Sequence, residues 1–157
     1  MSNGTRTRIT RATKLSAAIG GAAAVAALSA MPAFAAGTIT AVSPTPLVDA
    51  TTATVTGTGF AANADLRVGL CSTDTYGLLA IPACGEFTDT TTDGSGNLSA
   101  AFVAYENGVN NHYNPLNPVF WGQPSTLDCT APGSCEIVIT SHSGTSSTTE
   151  ATAPANF

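Results

Sequence analysis

Four cysteines are the residues best placed for chemistry. "CSTDTYGLLAIPAC" runs from Cys71 to Cys84, and "CTAPGSC" from Cys129 to Cys135. Four thiols allow three disulfide pairings or a tetrahedral metal site. Neither spacing is the C-x-x-C of a zinc site. The sequence-local pairs, Cys71–Cys84 and Cys129–Cys135, close at the least entropic cost and are the expected disulfides. Other reactive groups are sparse. His112 lies in an Asn-rich stretch and His142 in "SHSGTSS", neither with a carboxylate or thiol at ligand or catalytic spacing. Ser141 and Ser143 flank His142, but no nucleophile-elbow pattern surrounds them. Asp89, Asp93 and Asn97 could be a calcium loop, yet they lack the D-x-D-x-D-G spacing. These residues point away from an enzyme.

The N-terminus sets the compartment. Arg6, Arg8, Arg11 and Lys14 precede the apolar run "LSAAIGGAAAVAALSAMPAFA", which ends in Ala33-Phe34-Ala35. A basic head, an apolar stretch and an A-x-A site read as a secretory signal peptide over 1–35, cut after Ala35. A membrane anchor is the rival, and the thin Leu content argues against it. There is no Arg-Arg pair for the twin-Arg route. The mature chain, 36–157, keeps Arg67 alone against ten carboxylates, a formal side-chain charge of −9. Such a chain is secreted and extracellular, and is repelled by nucleic acid and anionic membranes. At about 120 residues it is one small domain, expected as a monomer, of the size that leans on disulfides.

No stretch after Gly37 shows a helical apolar period. Short alternating runs follow one another instead: "TITAV" (38–42), "TTATVTGTGF" (51–60), "DLRVGLC" (65–71), "FTDTTT" (87–92), "LSAAFVAY" (98–105), "CEIVIT" (135–140) and "TEATAPANF" as an edge strand around Pro154. "DGSGN" between the fourth and fifth reads as a hairpin. Alternation puts Leu66, Val68 and Leu70 on one face, with Arg67, Gly69 and Cys71 on the other. Likewise Ile137 and Ile139 oppose Glu136, Val138 and Thr140. The expected fold is all-β: a seven-stranded immunoglobulin-like β-sandwich with two local disulfide loops. Segment 106–126 fits no strand. It carries Tyr113, Leu116, Phe120 and Trp121, and is either packed on itself or part of a binding surface.

The ordered set of these pieces resembles the neocarzinostatin family, the secreted apoproteins of enediyne chromoproteins from actinobacteria. "ATVTGTGFAANADLRVGLC" looks like the family's strand, G-x-G, turn and V-G-x-C. Cys84, Phe87, the turn at Asp93, Trp121-Gly122 and Asp128-Cys129 follow in the family's order. The resemblance implies a cleft on the open face of one sheet, holding a hydrophobic small molecule. There is no cofactor beyond such a noncovalent enediyne-type chromophore, and DNA is reached only indirectly, through it. It also implies that Gly69 and Cys71, the latter bonded to Cys84, floor the cleft. Phe87 would stand on the wall, with Glu136 and Thr140 near the ligand.

This chain departs from the family at Thr73, where the family has an aromatic, and at Val138, where it has a small residue that leaves the floor wider. Tyr76, Leu78 and Leu79 could form an apolar lid instead. Trp121 and Phe87 could each be cleft or core. Arg67 could be a solvated strand residue, or could pair with Glu136 across the sheet. The expected ligand-binding set is Gly69, Cys71, Tyr76, Cys84, Phe87, Trp121, Glu136 and Thr140. The other reading is an exported interaction or structural module with the same fold and no ligand.

Overall fold

The protein is seen in a computed structural model that describes residues 36–111, 113, 122–143 and 146–157, with only the backbone of Ser143. Segment 1–35, His112, Leu116, Phe120 and Trp121 therefore lie outside the described residues. Those described all belong to one unit, Pro32–Phe157.

Buried residues alternate with exposed ones along Leu98–Ala104, and Thr, Val and Ile are frequent in Thr51–Thr58 and Cys135–Ser143, so the chain extends into strands rather than coiling. Among the described residues ten strands form, not seven: β1 (Thr38–Ser43), β2 (Thr51–Thr58), β3 (Asp65–Tyr76), β4 (Ile81–Cys84), β5 (Thr88–Thr91), β6 (Leu98–Ala104), β7 (Asn107–Val109), β8 (Thr126–Asp128), β9 (Cys135–Ser143) and β10 (Ser146–Ala155). The three additions are short. β4 lies inside the first cysteine loop, and β7 and β8 pair across the segment expected to hold no strand. Runs of three or four residues are too brief to display alternation.

The strands form a three-stranded sheet ordered β1-β2-β6, a five-stranded sheet ordered β10-β9-β3-β4 with β5 also on β3, and the β7-β8 ribbon. Pairing throughout is antiparallel. Ala53 and Val55 of β2, with Leu98, Ala100 and Phe102 of β6, face Leu66, Val68 and Leu70 of β3 and Ile137 and Ile139 of β9. Each large aliphatic side chain so buried stabilises the fold by about 1.5–3 kcal/mol. Pro154 stands in β10, the outer strand of its sheet, where the missing N–H removes no ladder bond.

The expected 87–105 hairpin does not form. β5 pairs with β3, and β6 pairs with β2, so the turn at 93–97 carries the chain from one sheet to the other. The cause is anchoring at the corner. Thr92 is buried; its hydroxyl donates to the Ala61 carbonyl at 2.6 Å and accepts from the Ala64 N–H at 2.8 Å. The alternating inward face of β6 then packs across the sandwich rather than beside β5. Asp93 closes the turn by accepting from the N–H groups of Ser95 and Asn97, both at 2.8 Å, and from the Asn97 amide at 2.9 Å. These bonds, that from the Asn97 N–H foremost, hold the Asp93 carboxyl below its ordinary range. Asp89 lies in β5, away from this turn, and among the described residues no His, Cys, Asp and Glu cluster could hold a metal ion.

Candidate functional site

β3 and β9 lie side by side with Arg67 opposite Thr140, Gly69 opposite Val138 and Cys71 opposite Glu136. The period of two sends all six to the outer face of the five-stranded sheet, because Leu66, Val68, Leu70, Ile137 and Ile139 occupy the inner one. β10 continues that face, with Thr149 opposite Thr140 and Ser147 opposite His142.

One edge of β3 is shared. β4 takes its C-terminal half and β5 its N-terminal half, leaving a break at 85–87. Gly85 bridges the break by donating to the Leu70 carbonyl at 2.9 Å. Phe87 then turns back over the sheet, and its ring sits on Gly69. A Cβ at Gly69 would lie 3.0 Å from Phe87 Cδ1 and 3.0 Å from the Glu86 carbonyl oxygen, so only glycine leaves the ring its place.

The disulfides are Cys71–Cys84 and Cys129–Cys135. Cys71, Cys84 and Val138 are buried and form, with Phe87, an apolar cluster separate from the main core. Beside it opens a cavity of about 260 Å³. Cys71, Cys84, Phe87 and Val138 give it an apolar floor. Glu136, Thr140, Arg67 and His142 line its polar side, with Ser147 and Thr149 at the β10 margin.

The structure thus brings five of the expected site residues to one cavity: Cys71, Cys84, Phe87, Glu136 and Thr140. Gly69 is in the floor but under Phe87, and does not itself line the space. Tyr76 does not line this cavity and is half-buried against the main core. The ladder between β3 and β4 is irregular between Cys71 and Thr75, which shifts the residues beyond the disulfide out of the floor's register. Leu78 and Leu79 are exposed and do not line the cavity as a lid. Trp121 is outside the described residues.

Of the two readings of Arg67, a solvated strand residue or a partner of Glu136, neither describes its ion pair, which is with Asp89. Arg67 Nε donates to Asp89 Oδ1 at 2.7 Å, because Asp89 is its neighbour on β5 while Glu136 is four residues along β9 from Thr140. Both partners are well exposed, and such pairs contribute about 0–1 kcal/mol.

Several lining residues went unread. Continuing the β9 alternation two more residues reaches His142. Ser147 and Thr149 depend on a register with a shift in β10 between Thr149 and Ala151, which no local pattern announces. The wall that supports the first disulfide was also missed. Asn110 and Gln123 are buried. Asn110 Oδ1 accepts from the Cys84 N–H at 3.1 Å, and its Nδ2 donates to the Pro124 carbonyl at 2.7 Å. Gln123 Nε2 donates to the Pro82 carbonyl at 3.3 Å. Two amides thereby tie the cysteine hairpin to the ribbon, and Asn-rich composition alone did not single them out.

A second cavity, of about 310 Å³, opens on the other side of the break at Gly85 and Glu86. Leu70 and Leu127 form its base, and the exposed side chains of Val103, Tyr105 and Val109 its rim. It shares no residue with the first.

No family model matches the chain, and no curated protein matches it. Among solved structures it is similar to macromomycin, with 21% identity and a TM-score of 0.52, over 74% of this chain and 98% of that one. It is also similar to apokedarcidin in its solution conformation, with 28% identity and a TM-score of 0.49, over 78% of this chain and 99% of that one. The likeness to macromomycin shows the fold, the neocarzinostatin β-sandwich that the ordered motifs imply.

Proposed function

We propose that this chain is a secreted carrier of the neocarzinostatin type. It holds and shields a hydrophobic small molecule, an enediyne-like chromophore, in the cavity over β3 and β9. Residues 1–35 serve as the export signal and 36–157 as the mature domain. The observation that carries this reading is the floor. A buried disulfide, Phe87 and Val138 form an apolar surface on the solvent side of a sheet, where polar residues are the rule, with polar groups along one margin. The chemistry belongs to the ligand. The protein supplies a dry contact surface, and the hydroxyl of Thr140 and carboxylate of Glu136 orient what lies on it. A chain with a formal charge of −9 after residue 35 is a poor ligand for DNA, which is reached only through the released molecule.

The volume limits the occupant. Ligand pockets typically measure about 300–1,000 Å³, and this one, at about 260 Å³, takes a small ring system or the flat part of a larger molecule whose remainder lies over the rim. Val138 favours the second reading, an exported module without a ligand, since a smaller residue there would leave a deeper floor. Native mass spectrometry of protein recovered from its own culture medium separates the two. A chain beginning at Ala36 with a small-molecule adduct that is lost on denaturation supports the carrier. The bare mass alone supports the module.

A further inference from the structure

We infer that Arg67 selects the ligand and fixes its direction, by taking a carboxylate at the end of the cavity beside β5. The inference rests on the carrier reading and names the ligand class: a flat apolar molecule ending in an anionic group. Arg67 is the only Lys or Arg after residue 35. It lines the cavity with its side chain 42% exposed, and only its Nε is engaged, by Asp89. Its two Nη groups donate to no acceptor among the described residues. Asp89 therefore holds the guanidinium from the side and leaves the end of its fork open, the geometry that meets a carboxylate with two parallel hydrogen bonds.

The opposite end of the cavity carries the opposite charge. Glu136 lies opposite Cys71, four residues along β9 from the Thr140 that faces Arg67. At about 3.3 Å per residue that separates the two ends by about 13 Å. The Glu136 carboxylate has no hydrogen-bond or ion-pair partner among the described residues. An anionic group is repelled at the disulfide end and attracted at the Arg67 end, while Phe87 and Val138 between them contact the apolar body. Asp89 on β5, and Asp65 two residues before Arg67 on β3, oppose the anion and moderate its advantage. The net preference is expected to be five- to tenfold, falling as salt screens it.

Three probes of one shape test this on the mature protein by titration calorimetry at neutral pH: 4-biphenylcarboxylate, 4-biphenylcarboxamide and 4-biphenylmethylamine. The acid is expected to bind five- to tenfold tighter than the amide. Arg67→Gln should erase that difference, the acid losing five- to tenfold more affinity than the amide. Asp89→Asn should keep or widen it. Circular dichroism and Tm, expected to match the parent for these exposed positions, check folding. Saturable amide binding without an acid preference, or a preference that survives in Arg67→Gln, overturns the role of Arg67 and leaves the carrier standing. Failure of all three probes to bind overturns the carrier reading and this inference together.

Discussion

A methyl group added at Gly69 would meet Phe87 Cδ1 and the Glu86 carbonyl oxygen, both at 3.0 Å, so one of them must yield. Gly69→Ala is expected to cost about 1–3 kcal/mol by overpacking, read as a lower denaturation midpoint. It should also change the environment of Phe87, read by NMR. An unchanged midpoint and Phe87 signals would show that the ring does not rest on the glycine. Asp93 gives a second test at this scale. Hydrogen bonds from Asn97 and Ser95 to its carboxylate lower its folded pKa below the unfolded value, about 3.9. The folded state then favours the ionised form. That contribution is complete above the unfolded value and is lost as pH falls through the folded one. Asp128 behaves likewise, through the Thr130 hydroxyl and N–H. Asp93→Asn should therefore be less stable than the parent near neutrality, with the gap closing below about pH 4. A gap that is constant with pH would contradict this.

The 93–97 turn matters as an element because it sends β5 and β6 to different sheets. Gly96 holds φ +76°, and a Cβ there would lie 2.1 Å from the Phe60 carbonyl oxygen, a backbone atom that cannot move aside. Gly96→Ala should cost more than the roughly 1–2 kcal/mol of a left-handed residue alone, and a change under about 0.5 kcal/mol would contradict that placement. The ribbon makes a parallel case. Asn110→Ala leaves the Cys84 N–H without its side-chain acceptor, at about 1–3 kcal/mol. It should also quicken amide exchange at Cys84. The two elements show what a sequence can disclose. Period-two alternation in β3 and β9 placed the Leu and Ile residues inward and Cys71, Glu136 and Thr140 outward, since one buried face allows one register. Turn chemistry at Asp93 disclosed a turn but not its partner strands, because the choice between β3 and β6 is made by contacts distant in sequence. β4, β7 and β8 are too short to alternate, so the strand count rose to ten. Tyr76, read as part of an apolar lid, instead packs half-buried against the main core, because β3 continues to Tyr76 beyond the irregular ladder after Cys71. Phe87 was placed through resemblance, and its seat on Gly69 belongs to a break between two strands that no pattern of spacing describes.

For the molecule as a whole, the two disulfides have different duties. Cys71–Cys84 closes a separation of 13 residues and forms the cavity floor, whereas Cys129–Cys135 closes one of 6, away from it. Replacing either pair with serines should cost about 2–3 kcal/mol in the chain-entropy picture. Only the first replacement should also abolish small-molecule binding in the folded protein, measured by calorimetry below its lowered Tm. Equal loss of binding in both variants would show that the floor acts through global stability alone. The most direct test of the carrier claim is a titration of ¹⁵N-labelled mature protein with 4-biphenylcarboxamide, followed by ¹H–¹⁵N NMR. The expected result is saturable shifts clustered at Cys71, Cys84, Phe87, Glu136, Val138 and Thr140. Shifts clustered instead at Leu70, Val103, Tyr105 and Val109, or none that saturate, would contradict the assignment of the ligand to the cavity over β3 and β9.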